Sequence, residues 1–150
     1  MADLQFFDGP SIEESVSQTT ATPSVQLGTR VNIKGEDYVY CYNASATATG
    51  TGVGVKLITG ASGYSVAATC LTDVFNPCVG VVKHTTIGVG EYGWVMTRGF
   101  ASVKLVSAST NADGFKMIAL GEDGYFIAAS GTTVKGTATV CGYLLAHNTA

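Results

Sequence analysis

The sequence predicts an all-β fold, a compact β-sandwich or partly closed β-barrel preceded by an extended N-terminal arm. Three observations predict it. Nineteen glycines punctuate the chain, only 13% of its residues are charged, and runs of Val, Thr, Tyr and Ala alternate between the glycines with a period of two. β-Branched and aromatic side chains suit a pleated surface, and glycine supplies the positive φ that tight turns need. Short strands at this spacing favour a sandwich or barrel over any βαβ arrangement. A chain of 150 residues is expected to build one core.

Residues 1–24 read as the arm and 25–150 as the β-rich domain. The arm holds Gly9-Pro10, Pro23 and the polar run from Ser15 to Thr22, with little alternation to build a strand. Its one sticky patch is Leu4-Gln5-Phe6-Phe7. Those side chains have two destinations open to them, the domain's own core or a neighbouring subunit.

From Val25 the pattern changes. Val25, Leu27, Thr29, Val31 and Ile33 share one strand face, and Lys34-Gly35-Glu36-Asp37 turns the chain into Tyr38–Asn43. Tyr38, Tyr40 and Tyr42 must then project to one side of the second strand, and Val39 and Cys41 to the other. Both faces carry apolar bodies, which calls for a sandwich or an interface. Val53, Val55 and Leu57 define a third strand; Gly52 and Gly54 on its opposite face imply close approach by another backbone. Further strands are expected at 64–71, 78–83, 94–97, 100–106, 115–120, 125–128 and 136–145, with Ala108–Met117 the one place for a helical turn.

Composition excludes several functions. The net charge is −3, and the eight Lys and Arg are scattered singly, so there is no basic stripe to neutralise phosphates and no nucleic-acid partner is expected. Met1-Ala2-Asp3-Leu4 lacks the regions of a signal peptide, and no apolar stretch approaches the ~20 residues of a membrane helix. The chain is therefore expected to be made in a cytosol, away from membranes. A mean hydropathy of +0.28 with so few charges predicts that other protein covers some apolar surface, because soluble monomers carry about 25–35% charged residues there.

No catalytic constellation emerges, and the chain is expected not to be an enzyme. Gly50-Thr51-Gly52-Val53-Gly54 is followed by a strand, whereas a phosphate cradle needs a helix N-terminus. Of two histidines, His147 lies four residues from the end and His84 sits in a turn after a strand. The pairs Glu13-Glu14, Glu36-Asp37 and Glu122-Asp123 fall in the arm or in turns, where charge serves solubility. Cys41, Cys70, Cys78 and Cys141 form no CxxC pair; the spacing of Cys70, Cys78 and His84 matches no common zinc finger, so buried thiols are expected and no metal or cofactor. Asn43-Ala44-Ser45 is a formal glycosylation sequon, meaningful only in a secreted chain. Tyr92, Trp94 and Arg98 combine the residue types that interface hot spots favour, although Trp94 also suits the domain's own core.

The segment Gly80–Gly99, with Glu91-Tyr92-Gly93-Trp94-Val95 at its centre, resembles the core of tailed-bacteriophage head decoration (cement) proteins, and Tyr38–Asn43 resembles an earlier strand of theirs. The similarity extends loosely from Leu27 to Leu145. Gly88-Val89-Gly90 departs from it, since those proteins tend to have Pro before the turn glycine. The resemblance implies a β-rich subunit, most often a trimer, on the outer surface of the capsid in the virion, made in the host bacterial cytoplasm. Its partner would be the major capsid protein, bridged between neighbours and gripped by an N-terminal arm through Leu4, Phe6 and Phe7, with glycine-rich strand faces packed between subunits. Three rival readings are a receptor- or glycan-binding head-fibre domain, a small hydrolase acting through His84, and a component of the shell lattice itself.

Overall fold

The computed structural model describes residues 16–58, 65–67, 78–105, 116–120, 124–129 and 140–144. These form nine strands: β1 (Arg30–Ile33), β2 (Glu36–Asn43), β3 (Gly54–Leu57), β4 (Ser65–Ala67), β5 (Cys78–Val81), β6 (Tyr92–Arg98), β7 (Lys116–Leu120), β8 (Phe126–Ala129) and β9 (Val140–Leu144). The fold is all-β, and five strands close into a barrel in the order β2-β4-β3-β5-β6 and back to β2.

β2 makes the closure possible because its eight residues serve three neighbours. One edge pairs with β6 from Asp37 to Tyr42. On the other edge β1 takes Glu36–Val39 and β4 takes Tyr42–Asn43, the latter in parallel. The β1–β2 hairpin turns on Lys34 and Gly35 at φ 53° and 84°, the twin positive φ values that match a two-residue loop to the twist of its strands.

Alternation along β2 sorts its side chains as the sequence predicts. Val39 and Cys41 face the barrel interior, where they pack with Val55, Val66, Val82, Ile87 and Val95. Tyr38 and Tyr40 face outward beside Trp94 and Met96 of β6, and form a second apolar cluster on the barrel wall. Rather than a second sheet or another subunit, Val16, Leu27, Val31 and Ile33 of the same chain join this outer cluster.

Gly52 shows the predicted backbone approach. Its carbonyl accepts from the Lys104 N–H at 2.8 Å, and a Cβ there would lie 3.1 Å from the Ser102 carbonyl oxygen. The expected strand over 100–106 is not continuous: residues 100–104 are irregular, and Leu105 makes only an isolated parallel bridge to Phe126. Gly99, at φ +136°, diverts the chain off the end of β6. The remaining strands form an antiparallel sheet in the order β8-β7-β9. Apart from Lys116 and Met117, which open β7, Ala108–Met117 lies outside the described residues.

Candidate functional site

The described part of the arm is a strap on the barrel wall. Thr20 and Tyr92 exchange backbone hydrogen bonds of 3.0 and 2.8 Å. β2 occupies one edge of β6 and β5 takes the other at Met96, so the strap meets that second edge at its Tyr92 end. Antiparallel pairing carries it toward Met96 as residue numbers fall, and Val16 accordingly packs with Tyr38, Tyr40, Trp94 and Met96. Tyr40 Oη fastens the other end, 3.1 Å from Thr20 Oγ1 and from Ser24 Oγ, and accepts the Ser24 N–H at 3.2 Å. Beneath the strap runs an aromatic row. Tyr42 and Tyr92 are 4.9 Å apart between ring centroids, Tyr92 and Tyr40 6.2 Å, and Tyr40 and Trp94 5.0 Å.

This arrangement separates the three residues of the predicted interface. Trp94 is only 4% exposed; its large surface is spent within its own chain and leaves almost none for a partner. Tyr92 is half-buried under the strap, and Arg98 is fully at the surface. Leu4, Phe6 and Phe7 lie outside the described residues, but they are joined covalently to Val16, whose seat is fixed.

Where β2 begins and β6 ends, a second feature forms, one that sequence reading misses because its members come from separate segments. The Glu36 carboxylate accepts from Lys83 Nζ at 2.5 and 2.6 Å and from Tyr38 Oη at 2.6 Å. The Lys83 hydrogen bond, then that of Tyr38, hold Glu36 below the usual carboxyl range despite partial burial. Burial first, and then Glu36, push the Tyr38 phenol upward. Tyr38 Oη also lies 2.8 Å from His84 Nε2. The single phenolic proton goes to the carboxylate, so His84 must donate from Nε2 and is the Nε2–H tautomer. Partial desolvation, then the Lys83 charge, hold His84 below its ordinary value.

Chemically this network is a brace. The phenolic proton of Tyr38 and the Nε2 proton of His84 are engaged in internal bonds, and the charges of Lys83 and Glu36 neutralise each other. Gly99 lies against it: a Cβ there would come within 2.9 Å of Glu36 Cγ and 3.1 Å of Met96 Sδ. Phe100, the next residue along, has its side chain 75% exposed.

At the opposite end of β6, Asn43 is fully buried. Its Nδ2 donates to the carbonyls of Thr47, Ile87 and Gly88 at 2.9–3.1 Å, and its Oδ1 accepts from Ser45. The sequon is thereby closed, because the amide nitrogen a glycan would need is inside. Cys41 is buried, and desolvation pushes its thiol up to about 12. Cys78 is half-buried, and Cys70 lies outside the described residues. Among the described residues no three His, Cys, Asp or Glu side chains gather as metal ligands. Comparison with protein-family models, with curated proteins and with solved structures finds no match to this chain.

Proposed function

We propose that this chain is a capsid decoration protein, which binds the outer surface of a bacteriophage head and bridges neighbouring major capsid proteins, in a homo-oligomer that is most often a trimer. The observation that carries the reading is the pairing of Thr20 with Tyr92. It roots the segment bearing Leu4, Phe6 and Phe7 on β6, the strand with the sequence resemblance to decoration proteins. An apolar tether with one end fixed to a closed barrel suits a clamp: the barrel bears the load and the tether finds the groove. Such a protein stabilises by mass action, since it binds the assembled shell and not its loose parts, and many identical weak sites add into a strong effect. On this reading its working parts are surfaces and it is not an enzyme.

The test is binding to heads purified from the phage that carries the gene, with that gene deleted. The expected result is saturable binding, visible as protrusions on an otherwise complete shell, and heads that withstand more heat once decorated. Purified protein that binds glycans and has no affinity for heads would overturn the reading in favour of a head-fibre domain.

A further inference from the structure

We draw no further inference here: the strongest candidate, the corner at the end of β6 where Phe100 stands exposed beyond Gly99, carries nothing because nothing in the structure shows what covers it.

Discussion

Ser24 Oγ donates to Tyr40 Oη at 3.1 Å, across sixteen residues, and so ties the end of a polar strap to the aromatic row beneath it. Thr20 and the Ser24 N–H use the same phenolic oxygen. Val16 is the strap's one buried side chain. Tyr40→Phe keeps the ring and removes this shared partner. It should lower stability by about 1 kcal/mol, as for a typical net hydrogen bond, measured by urea denaturation. Proteinase K should also cut between Ser17 and Val25 faster than in wild type.

Truncations should separate tether from strap. Removal of residues 1–15 leaves Val16, Thr20 and Ser24 in the chain. Removal of 1–24 uncovers Tyr40 and Trp94 and unpairs Tyr92, and should cost about 3 kcal/mol or more from lost apolar burial and hydrogen bonds. In head-binding assays only the shorter truncation isolates the contribution of Leu4, Phe6 and Phe7. Shell binding that survives it undiminished would remove the arm from the proposed contact.

Local rules made much of the barrel legible in advance. Alternation placed Val39 and Cys41 opposite the three tyrosines, and the Lys34-Gly35 turn followed from residues that tolerate or favour positive φ. The strap was not legible: Ser, Thr and Gln carry no periodicity, and the pairing of Thr20 with Tyr92 depends on an edge of β6 that only closure of the barrel defines. Phe100 was misplaced for a related reason. Apolar alternation from Phe100 to Val106 reads as a strand, but the exit angle set by Gly99 takes precedence over it. The Glu36 brace joins positions 36, 38, 83 and 84, and no local pattern links residues so far apart.

Asn43 is a clear case of a motif overruled by burial. Its amide donates to three carbonyls, which pins the 44–49 loop and the turn before β6 to the end of β2. Asn43→Ala strands those groups inside and should destabilise by about 3 kcal/mol or more, since unsatisfied buried polar groups cost roughly 1–3 kcal/mol each. Asn43→Asp places a carboxylate against the same carbonyls and should be worse at neutral pH than at acid pH. Expressed through a secretory pathway, the folded protein should carry no glycan at Asn43, as intact mass spectrometry would reveal; quantitative modification there would contradict the buried amide.

Acid should loosen the brace in two steps. His84 binds its proton less readily folded than unfolded, so stability falls as pH drops below about 6.5 toward the lower folded value. Glu36 also has a folded value below its ordinary 4.5, so the stability it contributes is complete above that pH and is lost as pH falls through the folded value. Both limbs run the same way and differ in window. His84→Gln should erase the upper limb alone. Glu36→Gln should lower the melting temperature at neutral pH, where Lys83 loses its counter-charge, yet converge on wild type as pH falls through the lowered folded value of Glu36, where the wild-type carboxyl is itself being protonated. Melting curves across that range are the measurement. If the gap between Glu36→Gln and wild type stays constant down to the acid end, Glu36 ionisation does not support the corner.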